Sequence, residues 1–229
     1  MTDAIRDEAA GSQMPTYYKR DFWQTENLKY VKVHYRMAKM ARVVRGLVDG
    51  QACDLLDVGC GPGTLARLLP PSVRYHGIDI AIQEPAPNLI EMDILQSPVS
   101  FRGMTFDIIA AQGLFEYCGD YQSQKFAEIR SLLKPGGRFV LTYMNFSHHK
   151  KVVYGPYSNV RHPAEFRRDL ERHFVIERTF PGAYNWNQTQ PNRPFMKAAQ
   201  KNLTLDIPGL NTTLGVDRFY ICSARSADT

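Results

Sequence analysis

Short runs of apolar residues recur along this chain, and stretches with helical spacing or turn residues separate them. Short apolar runs bounded by turn signals are typical of strands that are buried on both faces of a sheet. The predicted strands cover residues 55–58, 73–79, 88–94, 106–111, 138–146, 174–178 and 217–224. Helical spacing extends over residues 27–48, 120–133 and 163–173. This alternation favours an α/β fold with a mostly parallel sheet.

The first fifty residues carry a pattern of their own. Residues 1–15 are polar, and an aromatic segment follows over residues 17–23. From Asn27 to Val48, apolar residues recur every three or four positions, which predicts one long amphipathic helix. The lysines and arginines of this stretch fall mostly on the other faces, and we interpret them as a solvated surface.

The first predicted strand leads directly into a glycine-rich turn and then into a helical pattern. Gly59, Gly61 and Gly63 stand at alternate positions, where a residue without Cβ can adopt a positive φ and let a ligand approach the backbone. Pro62 suits the first turn of the predicted helix, because its missing N–H is not needed there. Asp57 places a carboxylate beside the turn. Open α/β sheets bind nucleotide-like ligands at such a position.

The residues of this turn discriminate between nucleotide ligands. A dinucleotide fingerprint, G-x-G-x-x-G, needs a third glycine where this chain has Thr64. The run from Asp57 to Gly63, D-V-G-C-G-P-G, instead resembles motif I of the class I S-adenosylmethionine-dependent methyltransferases. That cofactor has no pyrophosphate, and a carboxylate such as Asp57 can attract its ammonium group. Leu-Lys-Pro-Gly-Gly at 133–137 is a second match to the family, a turn with a structural role.

The resemblance implies a complete architecture. We expect a doubly wound α/β fold with a seven-stranded, mostly parallel sheet, an antiparallel last strand, helices on both faces and an N-terminal helical lid. The domain assignment that follows is a tail and lid over residues 1–50 and a methyltransferase core over 51–229. An insertion at about 181–215, rich in Asn, Gln, Thr and Pro, interrupts the core. Insertions in loops often carry specificity.

The resemblance also implies where S-adenosylmethionine binds. Asp79 ends the second predicted strand, twenty positions after Gly59, the offset at which an acidic residue reaches the ribose hydroxyls. Asp93 and its neighbour are expected near the adenine, and Gln112 with its neighbour near the methionine portion. The expected cofactor-binding residues are Asp57, Gly59, Cys60, Gly61, Gly63, Asp79, Ile80, Asp93, Ile94, Gln112 and Gly113.

Residues for the methyl acceptor are predicted beyond the fourth and fifth strands. His148, His149 and Tyr117 are the candidates for a general base, since histidine titrates near neutral pH; an exposed basic loop is the alternative interpretation of the two histidines. The expected acceptor-binding residues are Tyr18, Trp23, Glu116, Asn145 and Tyr154. The implied reaction is in-line methyl transfer to an oxygen or nitrogen of a small organic acceptor, such as a secondary metabolite or a sugar.

Composition narrows the class of protein further. The four cysteines are scattered and never spaced C-x-x-C, so we expect buried thiols in the cytoplasm and no metal site. The chain has no apolar run long enough for a transmembrane helix, and its N-terminus lacks the apolar core of a signal peptide. A net charge of +5 is too small to indicate nucleic-acid binding by itself. We therefore expect no membrane or nucleic-acid partner, and a monomer or homodimer.

Three alternatives remain at this point. An RNA or protein methyltransferase would use the basic positions between residues 150 and 172 as its binding patch. A catalytically silent regulatory protein would keep S-adenosylmethionine binding without transfer. A nicotinamide-dependent oxidoreductase is the least favoured, because of Thr64.

Overall fold

A computed structural model describes residues 19–144, 162–184 and 215–225 of the chain. Its strands are β1 (Cys53–Val58), β2 (Val73–Asp79), β3 (Leu89–Glu91), β4 (Phe106–Gln112), β5 (Leu133–Met144), β6 (Phe174–Tyr184) and β7 (Gly215–Ala224). Its α-helices are α1 (Arg20–Glu26), α2 (Tyr35–Val48), α3 (Gln122–Leu132) and α4 (Pro163–Glu171). Short 3₁₀ helices cover Asn27–Val31, Thr64–Leu68, Phe115–Tyr117 and Gly119–Tyr121.

The strands form one sheet in the order β3-β2-β1-β4-β5-β7-β6. The pairs from β3 to β5 are parallel, whereas β7 runs antiparallel to both β5 and β6. The predicted fold is thereby confirmed. The order reverses between β1 and β4, so the carboxyl ends of these two strands border a crevice, which is where ligands bind in open α/β sheets.

Helices cover both faces of the sheet because its central strands are apolar on both faces. All six residues of β1 are buried. On one face, Leu55 joins a core with Met40 and Val44 of α2. On the other face, Leu56 joins a core that includes Phe126 of α3 and Phe166 of α4. On each face of the sheet, the apolar side of at least one helix is buried against the strands. Burial of apolar surface is the main favourable term in folding.

The prediction of one long helix over residues 27–48 is wrong. The chain forms α1, a 3₁₀ helix, a break at 32–34 and then α2. Val31, which the helical spacing placed on the inward stripe, is 42% exposed. β-branched residues around the break weaken the helix, and the Thr64 hydroxyl holds the 3₁₀ segment by donating to the carbonyl oxygen of Tyr30 at 2.7 Å.

Other predicted boundaries also need correction. The glycine turn leads into a 3₁₀ helix that starts only at Thr64, so Pro62 lies outside it. β3 ends at Glu91, before Asp93. The helical spacing that begins at residue 120 starts too early, because Asp120 lies in a 3₁₀ helix and α3 begins only at Gln122. Residues 181–184 of the predicted insertion belong to β6, and 185–214 lie outside the described residues.

The cysteines are buried thiols, as the sequence predicts. Cys53, Cys60, Cys118 and Cys222 are all free and buried. Within the described residues, none of the helices combines the length and apolar character that crossing a bilayer requires. The same part of the chain holds no cluster of three or more potential metal ligands.

Candidate functional site

A deep cavity opens at the carboxyl ends of the parallel strands. It contains about 1280 Å³ of space when the open solvent at its mouth is counted. Its floor is the sheet edge, by which we mean Asp57, residues 59–61 of the glycine turn and Asp79. Its cover is the N-terminal wall, residues 20–37, which contributes Trp23 and Asn27 among others.

The glycine turn is fixed to the neighbouring strand by backbone hydrogen bonds. The N–H groups of Gly59 and Cys60 both donate to the carbonyl oxygen of Ile78, at 2.8 and 3.1 Å. Gly59 and Gly61 have φ angles of 75° and 54°, a conformation that favours glycine. Gly77 of β2 must also be small, because a Cβ there would lie 2.7 Å from the sulfur of Cys60. The turn is therefore shaped before any ligand arrives.

Asp57 lines the cavity, and one of its two carboxylate oxygens has no hydrogen-bond partner among the described residues. Its Oδ2 accepts a hydrogen bond from the Tyr75 hydroxyl at 2.9 Å, while its Oδ1 is buried and has no partner among the described residues. Burial raises the pKa of Asp57 to about 7, and the nearby charge of Asp79 adds to the shift. Buried polar atoms are almost always paired. A ligand that brings a cationic N–H group to this point would satisfy Oδ1.

Asp79 holds the turn and the N-terminal wall together. Its Oδ2 accepts from the backbone N–H of Gly61 at 2.8 Å, and its Oδ1 accepts from Ala81 N at 2.9 Å. The side-chain amide of Asn27 also donates to Oδ1 at 3.0 Å and to the carbonyl of Ala81 at 3.1 Å. Burial raises the pKa of Asp79, against the effect of these hydrogen bonds. A ribose hydroxyl at Asp79 must therefore share this carboxylate with Asn27 or displace it.

Arg36 lies against the end of β4. A Cβ on Gly113 would approach the Arg36 Nη1 atom to 2.6 Å, so the guanidinium sits directly over this glycine. Its Nε is 3.7 Å from Asp217 Oδ2. Burial is the largest single influence on Arg36 and opposes its charge, but the combined attraction of Asp217, Tyr35, Tyr30 and Glu116 raises the pKa of Arg36 above its ordinary value. The cavity thus has a stable positive charge at the Gln112–Gly113 end.

Two neighbours on α2 fix the position of Arg36. The Tyr35 hydroxyl donates to Asp217 Oδ2 at 3.0 Å. The Lys39 ammonium donates to the backbone carbonyls of Pro181 and Gly182 at the end of β6. These contacts attach the first turn of α2 to the antiparallel part of the sheet, more than 140 residues away in sequence.

Glu116 is a second buried carboxyl group of the cavity. Its Oε1 accepts a hydrogen bond from the backbone N–H of Met144 at 2.8 Å, and its Oε2 has no partner among the described residues. Burial raises the pKa of Glu116 to about 7. Beside it, the rings of Trp23 and Tyr117 pack edge to face with centroids 5.1 Å apart. This end of the cavity combines an aromatic wall with an acidic group.

The cavity brings most of the predicted site residues together. Its lining contains Trp23, Asp57, Gly59, Cys60, Gly61, Asp79, Ile80, Asp93, Ile94, Gln112, Gly113, Glu116 and Tyr117. Gly63 does not line it, because this residue precedes the 3₁₀ helix and faces Leu89 and Tyr75 instead. Tyr18, Asn145, His148, His149 and Tyr154 lie outside the described residues.

The sequence did not indicate three polar residues of the N-terminal wall. Asn27, His34 and Arg36 all line the cavity. Burial lowers the pKa of His34 to about 4, so its imidazole is neutral. The aromatic content of residues 17–23 was the available signal for a cover over the site. Helical spacing in this stretch gave no means of choosing which polar side chains face inward.

Comparison with protein families identifies a match over most of the chain. A sequence model of the family described as a methyltransferase domain matches residues 33–175, more than half of the 229 residues. The comparison with curated proteins finds no match.

Solved structures share the fold at low sequence identity. A S-adenosylmethionine-dependent methyltransferase from Clostridium acetobutylicum ATCC 824 aligns with a TM-score of 0.59 and 14% identity, over 88% of this chain and 96% of that chain. The N-methyltransferase NodS from Bradyrhizobium japonicum WM9, in complex with S-adenosyl-L-homocysteine, aligns with a TM-score of 0.55 and 13% identity, over 89% and 99%. A TehB-like methyltransferase from Corynebacterium glutamicum ATCC 13032 Kitasato gives 0.53 and 16%, over 93% and 100%.

Proposed function

This chain belongs to the S-adenosylmethionine-dependent methyltransferases of the class I fold, and from that premise we propose that it methylates an oxygen or nitrogen of a small organic acceptor. The observation that carries the proposal is the arrangement of the cavity. The glycine turn with Asp57 and Asp79 forms one part of its lining, which we call the first end, and Glu116 with the aromatic pair Trp23 and Tyr117 forms another. The first end suits the cofactor and the second suits the acceptor.

The residues of the first end fit S-adenosylmethionine. The unpartnered Oδ1 of Asp57 suits the α-ammonium group, and Asp79 suits the ribose hydroxyls. Arg36 suits the α-carboxylate, because its guanidinium lies over Gly113 at the Gln112–Gly113 end. Asp93 and its neighbour suit the adenine. When bound, the cofactor supplies an electrophilic methyl group on a sulfonium centre.

The chain's own contribution to the reaction is position and exclusion of water. The acceptor must be held in line with the methyl group, and fixing two reactants in this way supplies much of a rate enhancement. An anionic nucleophile cancels the charge of the cationic donor, and a neutral one spreads that charge over more atoms, so a dry cavity favours transfer. His34, held neutral, and the rings of Trp23 and Tyr117 line such a cavity.

The cover over the site and the charges of its lining both support a small acceptor rather than a large polyanion. Residues 1–50 act in this proposal as a tail and lid over the cavity, and the segment 181–215 shapes specificity. Among the described lining residues, Arg36 is the one basic side chain that keeps its charge, against four carboxyl groups. A polyanion such as RNA is poorly matched to that balance. The compartment of the proposed reaction is the cytoplasm.

Calorimetry and a transfer assay test the proposal together. We expect S-adenosylmethionine and S-adenosylhomocysteine to bind at one site per chain and NAD not to bind. With methyl-labelled cofactor, label should pass to compounds in a panel of small amines, phenols and alcohols, and not to bulk RNA or unrelated protein. NAD binding without cofactor binding would reject the enzyme class. Label entering only RNA or protein would reject the small acceptor.

A further inference from the structure

Three side-chain oxygens of the cavity have no hydrogen-bond partner among the described residues. They are Asp57 Oδ1, Gln112 Oε1 and Glu116 Oε2. All three are hydrogen-bond acceptors, so the ligands of this cavity must bring N–H or O–H donors to them. Asp57 belongs to the cofactor end. Glu116 follows β4 and lies beside Met144 at the end of β5. We therefore assign its unpaired oxygen to the methyl acceptor.

Glu116 is held in one orientation. The Met144 N–H fixes Oε1 at 2.8 Å, and the residue is only 2% exposed. Oε2 is therefore directed by the hydrogen bond on the other oxygen of the same carboxyl group. An unpaired carboxylate oxygen in a buried position is unfavourable unless a ligand pairs with it. Recognition of the methyl acceptor is the function that would pair this oxygen with a hydrogen-bond donor.

The charges of the lining favour a cationic or neutral acceptor over an anionic one. Carboxyl groups come from Asp57, Asp79, Asp93 and Glu116, and the positive charge comes from Arg36. His34 adds no charge at neutral pH. Trp23 and Tyr117 lie in the same lining, and aromatic faces attract cations. A carboxylate or phosphate acceptor would meet repulsion here, whereas an amine would meet attraction.

We propose that the acceptor is a small amine, and that Glu116 selects it by accepting an N–H hydrogen bond at Oε2. This inference rests on the methyltransferase function proposed above. An amine that arrives as an ammonium ion first releases one proton to solvent. The lone pair of the neutral amine then forms the bond to the methyl carbon as the bond between that carbon and sulfur breaks, with the electron pair of the broken bond remaining on sulfur. The nitrogen then carries a positive charge and loses its proton to the Glu116 carboxylate. The proton passes from there to solvent.

The properties of Glu116 suit this second task as well. Its pKa of about 7 lets the carboxyl group accept a proton from the methylated ammonium and release it near neutral pH. Glu116→Gln keeps an oxygen for the Met144 N–H but presents a donor to the acceptor. Glu177→Gln is a matched control, because Glu177 pairs with Arg138 on the far edge of the sheet and has no place in the cavity.

The test compares three probes of similar shape: benzylamine, benzyl alcohol and benzoate. Each is titrated by calorimetry into protein saturated with S-adenosylhomocysteine, for the wild type and both variants. We expect wild type and Glu177→Gln to bind benzylamine about 10-fold or more tightly than the other two probes, the value of one hydrogen bond to a charged group. In Glu116→Gln this preference should disappear while S-adenosylhomocysteine affinity stays within about twofold.

Each other outcome overturns one identifiable statement. Equal or weaker binding of benzylamine by the wild type, or no binding of it, overturns the amine proposal, whether or not the variant folds. A preference that survives in Glu116→Gln overturns the role of Glu116. Failure of the wild type to bind S-adenosylhomocysteine overturns the proposed function instead.

Discussion

The sheet edge and the N-terminal wall face each other across one cavity, yet they are built in different ways. The turn at 59–63 is held by backbone hydrogen bonds to β2 and by the buried carboxylate of Asp79. The wall is attached through side chains: Asn27 to Asp79, Arg20 to Glu91, and Gln83 to the carbonyl of Gln24.

The wall also covers little of its own apolar surface. Leu28, Val31 and Val33 are 58%, 42% and 47% exposed, whereas Leu55 and Val58 of β1 are fully buried. Burial of apolar area gives the sheet edge its stability, and a few polar contacts give the wall its position. The difference shows that the turn is fixed by the sheet itself, whereas the wall depends on a small set of side-chain contacts.

The largest predicted effect is that of Asp79→Ala, which removes the group shared by both regions. The N–H groups of Gly61 and Ala81 and the Asn27 amide lose their acceptor. We expect the free energy of unfolding to fall by about 2–4 kcal/mol and cofactor binding to weaken by about 1–3 kcal/mol. Urea unfolding and calorimetry measure these values. Asp79→Asn, which keeps one acceptor oxygen, should lose less, and an unchanged cofactor affinity in Asp79→Ala would remove this residue from the site.

Gly113→Ala tests the contact between the wall and the end of β4. Gly113 has a φ of 62°, and its new Cβ would displace the Arg36 guanidinium. We expect a loss of about 1–2 kcal/mol of stability from the backbone and about a 10-fold loss of cofactor affinity from Arg36.

Gly103→Ala is the control for that variant. Gly103 has a φ of 72°, and a Cβ added to it would have no other atom within 4 Å. Gly103→Ala should lower the free energy of unfolding by about as much as Gly113→Ala does, and its affinity for the cofactor should equal that of the wild type. If both variants lose affinity equally, Arg36 has no part in cofactor binding.

Ionisation of Asp57 should change the stability of the protein and its affinity for the cofactor in opposite directions. Its pKa is raised from 3.8 to about 7 in the folded protein, so the folded state binds this proton more tightly than the unfolded state. The stability that this proton contributes is complete below about pH 4 and is lost as the pH rises to 7. Cofactor affinity should change in the opposite direction, because an ammonium group prefers the ionised form.

Thermal unfolding and calorimetry from pH 5 to 8 follow both quantities for Asp57. We expect Asp57→Asn, which can still accept from the Tyr75 hydroxyl, to show a flatter dependence of stability on pH and a lower cofactor affinity at pH 8. If the pH dependence of the variant matched that of the wild type, Asp57 would not titrate in this range.

The smallest predicted effect belongs to Arg20→Ala. The ion pair of Arg20 with Glu91 is about half exposed, so its removal should leave the unfolding temperature nearly unchanged. Hydrogen exchange of backbone amides in residues 20–31 should nevertheless become faster, because one attachment of the wall is lost. Arg138→Ala breaks an exposed pair on the sheet and should not change exchange in this segment. Equal exchange in both variants would show that Arg20 does not hold the wall.

Much of the fold and the arrangement of the glycine turn with its two carboxyl groups followed from local sequence. The apolar run of β1, the glycine turn and Asp79 at the end of β2 lie within 27 consecutive positions from Cys53 to Asp79. Parallel neighbours bring the carboxyl ends of β1 and β2 together whatever the rest of the chain does. The prediction of one helix over 27–48 failed for the opposite reason. Hydrogen bonds with residues distant in sequence hold the first part of this segment in another conformation, and the spacing of apolar residues does not reveal such partners.

The sequence by itself determined the strand–turn–strand unit with its two carboxylates and the buried helix stripes, because hydrophobic periodicity and glycine positions act over a few residues. Only the tertiary structure decided that Asn27 lies on Asp79, that Arg36 lies on Gly113, and that Glu116 faces the cavity with one oxygen unpaired. These contacts join segments far apart in the chain. Periodicity shows which side chains share a face of a helix, but the packing of that helix decides what the face meets.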